Sequence, residues 1–358
     1  MDPEGKRTGT IKGAMTNRTK YFLLNLRILL QLWRDGRLTV KKIVNAVFCY
    51  AAYLLRLERS GVLPLMMIVE TWNECNERCM FCRTADGVIY DNNPSASPPC
   101  IEKGKLDTAL FDMVIDEVKD HILMAVLYIN GEPFIYKDIF RCIQKCSDSH
   151  IGTVIASNGI LLTQEVSRRV HEAGLNFLKV HVSGFTQECH CVQHRVGNIE
   201  TIKQNLRDFA EISRQSTHKT ILMVDYILYK HNQHELPLFR SFCEDLGLMF
   251  NVRPGFPRNM EQGEALAAEQ RAEDFSRVPC DWLWKVLTLN FNGDLLPCCA
   301  CTVWSSPPRY QRYEPGKTSI IRMWNGEKAR AMRRQHARQG RVIPICSRCS
   351  MRGISFRF

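Results

Sequence analysis

The sequence predicts an α/β fold around a parallel sheet, open or curled into a partial barrel, with a helical segment ahead of it and a small α+β unit behind. Two observations predict it. Between Pro64 and Arg253, six short apolar runs alternate with five helical patterns, and consecutive parallel strands need crossovers of that kind. After Cys280 the pattern changes to two apolar runs around Asn292-Gly293, followed by a basic helix. Asn-Gly tolerates the positive φ of a tight hairpin turn.

Taken in order, the first twenty residues carry no apolar period and read as a loose tail. Along residues 21–33 and at the position after them, Arg27, Gln31 and Arg34 recur at intervals of four and three, one polar stripe on an apolar helix. In residues 40–59, Lys41, Lys42, Asn45, Arg56 and Arg59 fall on one arc, and Ile43, Val44, Val47 and Leu54 lie on the rest. Thr39 suits the cap of this helix. Its longest uncharged run, 43–55, is thirteen residues, short of the roughly 18 to 20 that span a bilayer. The apolar side is expected to pack on the following domain, with a membrane surface or a protein partner as alternatives.

The strand candidates are 65–70, 124–130, 152–157, 177–183, 220–228 and 248–253, and the helical patterns are 106–120, 136–149, 163–174, 198–215 and 234–246. Residues 260–277 are Glu/Ala/Gln-rich, a helix or linker into the second unit, and the turn-rich insertion 84–99 is a candidate lid. The expected division is a basic tail with amphipathic helices (1–63), a barrel (64–257), a linker (258–279) and a small terminal domain (280–358). Ligands of such sheets sit at the carboxyl ends of the strands.

With 358 residues, 45% apolar, 24% charged and 9% aromatic, the chain is neither disordered, nor collagen-like, nor a multi-span membrane protein. The net charge of +11 is uneven: residues 1–60 hold 12 Lys/Arg against 4 Asp/Glu, and residues 321–358 hold 10 against 1. Most such charge solvates a surface, and nucleic acid is not the expected partner. Sixteen cysteines behind a polar N-terminus suggest a reducing, cytoplasmic setting, with peripheral membrane contact left open. There, clustered thiols are metal ligands or nucleophiles before they are bridges.

Cys75, Cys79 and Cys82 follow the first strand with gaps of three and two residues. Three thiolates from one short loop leave one iron of a four-iron cubane open to a ligand. A structural zinc would want a fourth ligand, and only the distant Cys100 follows. The loop, with Phe81 before its last cysteine, resembles the cluster loop of the radical S-adenosylmethionine (SAM) superfamily. That resemblance implies a partial (β/α)6 barrel over about residues 64–256. It also implies a 4Fe–4S cluster whose open iron chelates SAM, cleaved by one electron to a 5′-deoxyadenosyl radical that takes a hydrogen atom from substrate.

Asn130-Gly131-Glu132-Pro133 ends the second strand and is similar to the family's Gly-Gly-Glu-Pro motif, with Asn130 in place of the first glycine. The resemblance implies SAM contacts there and at Ser157 and Asn158 after strand three, Ser183 after strand four, and Arg253 on strand six.

Cys280 and Cys298 bracket the hairpin, and Cys346 and Cys349 form a terminal Cys-x-x-Cys. Four thiolates fill either a tetrahedral zinc or a four-iron cubane. Beside the first motif, the arrangement resembles the SPASM/twitch extension of radical SAM enzymes, in the shortened form with one auxiliary 4Fe–4S cluster. The layout is similar to the 2-deoxy-scyllo-inosamine dehydrogenase type. Cys299 and Cys301 compete with Cys298 as ligand, and the spacing to Gly293 favours Cys298. The implied activity is oxidation of a small hydroxylated or sugar-like metabolite, with an electron donor such as flavodoxin or ferredoxin. Peptide maturation and a non-catalytic zinc or iron–sulfur module are the alternatives. Cys189-His190-Cys191-Val192-Gln193-His194 resembles a metal-binding fragment without a partner.

Overall fold

A computed structural model describes residues 17–80, 82, 103–255, 277–303, 308–347 and 349. The candidate lid 84–99, Phe81, Cys100, the tail before residue 17 and most of the segment 260–277 lie outside them. The six strands expected from sequence are β1 Met66–Val69, β2 Met124–Val126, β3 Gly152–Ser157, β4 Phe177–Val182, β5 Ile221–Leu228 and β6 Met249–Pro254. All five consecutive pairs are parallel, in the order β6-β5-β4-β3-β2-β1.

Helices precede and connect these strands: α1 Asn17–Arg34, α2 Val40–Leu54, α3 Thr108–Val118, α4 Ile139–Asp148, α5 Gln164–Glu172, α6 Gln187–His194, α7 Ile199–Gln215 and α8 Leu236–Leu246. Side-chain alternation sorts each strand into two faces. Leu178, Val180 and Val182 of β4 join Phe111, Ile143 and Phe209 in the core beneath the helices. Phe177, Lys179 and His181 point the other way, toward the concave side.

The floor of that concave side is apolar and is closed by α1. Leu24, Ile28 and Leu32, spaced by four, pack on Met66, Met124 and Val154. A Cβ on Gly152 would lie 2.5 Å from a Leu32 methyl, so glycine there admits the helix. Arg37, buried after α1, donates to the carbonyls of Ile151 at 2.9 Å and Gly174 at 2.8 Å and to Asn176 Oδ1, bolting the helices to the amino ends of β3 and β4.

Helix α2 corrects the expectation that its apolar side faces the protein. Lys42, Asn45, Cys49 and Ala52 are the buried residues. Asn45 Nδ2 donates to the carbonyls of Leu63 at 2.9 Å and His121 at 3.2 Å, and Lys42 donates to that of His150. The loops at the amino end of the sheet offer unpaired carbonyls, and only the polar arc of α2 can satisfy them. Ile43, Val47 and Leu54 are left exposed. Among the described residues, no helix is long and apolar enough to cross a membrane.

The expected C-terminal hairpin does not stand apart from the barrel. Its first strand, β7 Val286–Leu289, pairs in parallel with β1, Met67 opposite Leu287, and β8 Asp294–Leu296 and β9 Gln311–Arg312 extend the same sheet antiparallel. Parallel pairing of β7 with β1 needs no local sequence signal, so the hairpin turn is legible in the sequence and this pairing is not.

Candidate active site

The cysteine loop leaves β1 and is held from two sides. Thr71 Oγ1 donates to the carbonyl of Leu127 at 3.1 Å, and Glu132 N–H donates to that of Glu74 at 2.8 Å. On the opposite side, Met80 N–H donates to the carbonyl of Gln193 in α6 at 2.8 Å. Cys82 N–H donates to the carbonyl of Cys79 at 3.0 Å, a turn that folds the last two cysteines together.

Burial pushes the Cys75 thiol up to about 12 and the Cys79 thiol well above its usual range, with the Cys82 charge adding to both. Thiols that resist ionising alone are neutralised together by a cationic metal core. Three soft donors in mutual electrostatic reach therefore fit an iron–sulfur cluster. Cys79 Sγ also lies 3.4 Å from His194 Nδ1, which sits 2.7 Å from Glu77 Oε2. His190 stacks on His194 with ring centroids 4.3 Å apart. The sequence fragment without a partner thus finds one in Glu77. The ligating atoms of Glu77, His190 and His194 lie within 4.8 Å of one another.

Of the other residues expected at the site, those on the β2 tip and after β3 lie beside the same loop, and Ser183 lies against His190. Gly131 has φ +70°, and a Cβ there would sit 2.5 Å from the carbonyl oxygen of Glu74. The close approach that requires glycine is to the chain's own cluster loop. Pro133 opens a short 3-10 turn, Pro133–Ile135. The Glu132 carboxylate accepts from Phe134 N–H at 3.1 Å, Ser157 Oγ at 2.9 Å and Asn158 N–H at 2.9 Å. Burial raises its pKa to about 7, although these donors pull it down. Asn158 Nδ2 donates to Asn76 Oδ1 at 2.7 Å and lies 3.8 Å from Cys75 Sγ. Ser183 is buried, its hydroxyl 3.4 Å from the carbonyl of His190.

Above the apolar floor the concave side turns polar. Asp225 of β5 accepts from Arg253 Nε at 2.6 Å and Asn251 Nδ2 at 2.6 Å, with His181 Nε2 at 3.5 Å and Lys179 Nζ at 3.9 Å. Burial pushes the Asp225 carboxyl up, and Lys179, Arg253 and His181 more than offset this, holding it below the usual carboxylate range. Burial lowers Lys179 to about 8 and, with Arg253 alongside, drives His181 well below its ordinary value, so its imidazole is neutral. Sequence reasoning singled out only Arg253. The signal it missed is polar residues at inward positions of strands otherwise rich in Val, Ile and Leu.

The second thiol group lies in the C-terminal segment, whose Cys299 is in electrostatic reach of Tyr128, as Asp225 is. Cys298 Sγ lies 3.7 Å from Cys301 Sγ, and Cys280, Cys346 and Cys349 are in electrostatic reach of Cys298. The hydrogen bond shared with Cys301, together with burial, raises the Cys298 thiol well above its normal range. The four expected residues are brought together, and Cys301 joins them because the turn at Cys299–Val303 places positions three apart on one side. Cys299 turns elsewhere and lies in electrostatic reach of Tyr128 on the concave side. Asn130 Nδ2 donates to Thr302 Oγ1 at 3.1 Å, joining this segment to the tip of β2.

A curled parallel sheet with a three-thiol loop at its first strand end and a second thiol group beside it defines an iron–sulfur enzyme. Family models match accordingly: the radical SAM superfamily over residues 69–233 and an iron–sulfur cluster-binding domain, SPASM, over residues 280–350. The chain thus carries a radical SAM domain over residues 69–233 and a C-terminal SPASM domain over residues 280–350. It is 24% identical over 190 residues to a probable GTP 3′,8-cyclase of Methanocaldococcus jannaschii, covering 53% of this chain and 58% of that one. It is 19% identical over 327 residues to a tungsten-containing aldehyde ferredoxin oxidoreductase cofactor-modifying protein of Pyrococcus furiosus, covering 80% and 87%. The chain spans 58%, 33% and 46% of the first three curated relatives it matches. In fold it is similar to Streptococcus suis SuiB bound to S-adenosylmethionine, with a TM-score of 0.54 at 14% identity, covering 74% of this chain and 66% of that one. The radical SAM domain implies a 4Fe–4S cluster and SAM, and the SPASM domain implies auxiliary iron–sulfur clusters.

Proposed function

We propose that the chain is a radical SAM oxidoreductase acting on a small hydroxylated or sugar-like metabolite. Cys75, Cys79 and Cys82 would hold the first cluster. Cys280, Cys298, Cys346 and Cys349, with Cys301 alongside, would hold one auxiliary cluster. When bound, these groups and SAM supply abstraction of one hydrogen atom from substrate and uptake of one electron. Oxidation of an alcohol carbon to a carbonyl then requires loss of one proton as well.

The observation that carries this reading is the Asn130–Thr302 hydrogen bond, 3.1 Å, which ties the auxiliary thiol segment to the strand tip beside the cluster loop. Tyr128, near the same strand tip, is in electrostatic reach of both Asp225 and Cys299, which supports one reaction space between the thiol groups and the Asp225 cluster. Asp225 fixes Arg253 and Lys179, whose donors suit the oxygens of a polyol or amino sugar. His181 is partly exposed with Nε2 3.5 Å from the Asp225 carboxylate, the neighbour that favours a proton on its ring and supports it as the acceptor. A flavodoxin- or ferredoxin-type donor would supply the initiating electron.

The test gives the anaerobically reconstituted protein pools of deuterated polyols and amino sugars and follows deuterium into 5′-deoxyadenosine. Transfer from such a pool supports the reading, and it should fall about 100-fold in Asp225→Asn while unproductive SAM cleavage persists, as expected when substrate is misplaced. Transfer only from a peptide pool would replace it with peptide maturation.

A further inference from the structure

The inverted packing of α2 leaves an apolar face without cover among the described residues. Fourteen of the twenty large apolar residues exposed on the described chain lie between Leu23 and Leu57. Leu26, Leu30 and Trp33 form the outer stripe of α1, and Val40, Val47 and Leu54, 77%, 62% and 74% exposed, form that of α2. Between the stripes runs an apolar groove of about 580 Å³, floored by Ala46, Tyr50 and Leu123. A monomer's largest apolar patch is ordinarily a few hundred Å², and a larger one marks an interaction surface.

The charge around this face narrows the partner. Arg27 and Arg34 flank the α1 stripe, and neither makes an ion pair among the described residues. At the far end of α2, Arg56 Nη1 donates to the carbonyl of Ala337 at 3.3 Å, and Glu58 holds Arg334 at 2.9 Å and Arg338 at 3.7 Å. The two basic ends of the sequence therefore meet at one rim, where Arg59 follows Glu58 and is exposed. An apolar centre within a cationic rim matches a bilayer whose headgroups carry negative charge. A second copy of the chain would bring like-charged rims together. Residues 1–16 contain only Met1, Ile11 and Met15 as large apolar residues, too few to cover fourteen.

We propose that the outer face of α1 and α2 docks on an anionic lipid bilayer, lying in its interface rather than crossing it. The face sits below the amino ends of the strands, with Leu123 in its groove and Leu32 on Gly152, opposite the thiol loops. Docking therefore anchors the enzyme with its reaction space turned away from the lipid, and the proposal is independent of the substrate class.

Vesicle flotation of the full chain tests it, with phosphatidylcholine vesicles that do or do not contain phosphatidylglycerol. The proposal expects binding to the anionic vesicles, weakened by salt and by about tenfold or more in Arg27→Glu/Arg34→Glu. Val47→Glu/Leu54→Glu should abolish it while keeping the wild-type melting temperature, since both side chains are exposed. The Trp33 emission, read as the difference from Trp33→Phe, should shift blue on the anionic vesicles. Equal binding to both vesicle types, no binding, or an unshifted Trp33 would overturn the proposal. So would a dimer in sedimentation that Val47→Glu/Leu54→Glu dissolves while vesicles stay unbound, which would assign the face to a second copy.

Discussion

Asn130 at the tip of β2 donates to Thr302 in the auxiliary thiol segment at 3.1 Å, so one side chain links the two halves of the site. Its backbone N–H also donates to Glu70 at 2.9 Å, at the end of β1. Glycine occupies the corresponding place in the motif that the sequence resembles. Here the side chain that replaces it ties β1 to the SPASM segment.

The neighbouring glycine sets a first prediction. Gly131→Ala would place a Cβ 2.5 Å from the Glu74 carbonyl oxygen and 2.8 Å from that of Trp72, at a φ of +70° that L-residues avoid. These backbone atoms all belong to residues 72–74 and cannot yield without moving the cluster loop. The expected cost is roughly 2–4 kcal/mol, read as a lower denaturant midpoint at unchanged slope. An unchanged midpoint would show that the turn is not clamped to the loop.

A second prediction concerns pH. Burial lowers the Lys42 ammonium from 10.5 in the unfolded chain to about 8 in the fold. The folded state therefore disfavours the charged form. The stability present above the unfolded value is lost as pH falls from about 10.5 through about 8. By linkage the span is about 3 kcal/mol at most. Melting temperature should rise across that window in the wild type more than in Lys42→Met, and parallel curves would contradict the burial of a charge-disfavoured lysine.

Much of this architecture is legible in the sequence because buried parallel strands are short runs of Val, Ile, Leu and Met between helical periods. The six barrel strands lie where those runs do. Strand β2 ends at Val126 instead of residue 130, because Leu127 onward bends into the turn that meets the cluster loop. Helix α6 escaped notice because Gln187–His194 carries no apolar stripe, only a Thr186 cap and two histidines four apart. The inward residues Lys179, His181 and Asp225 escaped because single polar residues inside apolar runs look like interruptions. What joins distant segments, β7 to β1 and Glu77 to His194, leaves no mark in local spacing.

The auxiliary group offers a third prediction. With Cys298 and Cys301 sulfurs 3.7 Å apart, five thiols surround a site that needs four. Cys298→Ser and Cys301→Ser should each retain the auxiliary iron, and the double variant should lose it, about four irons per chain. Loss in only one single variant would assign the ligand to that cysteine alone.

The central claim is that the loop of Cys75, Cys79 and Cys82 holds the iron that grips SAM. Its most direct measurement is 5′-deoxyadenosine formation by Cys79→Ala after anaerobic reconstitution with iron, sulfide and dithionite. The account predicts no product above background and about four fewer irons per chain than wild type, with the auxiliary iron retained. Product formed at the wild-type rate would contradict it.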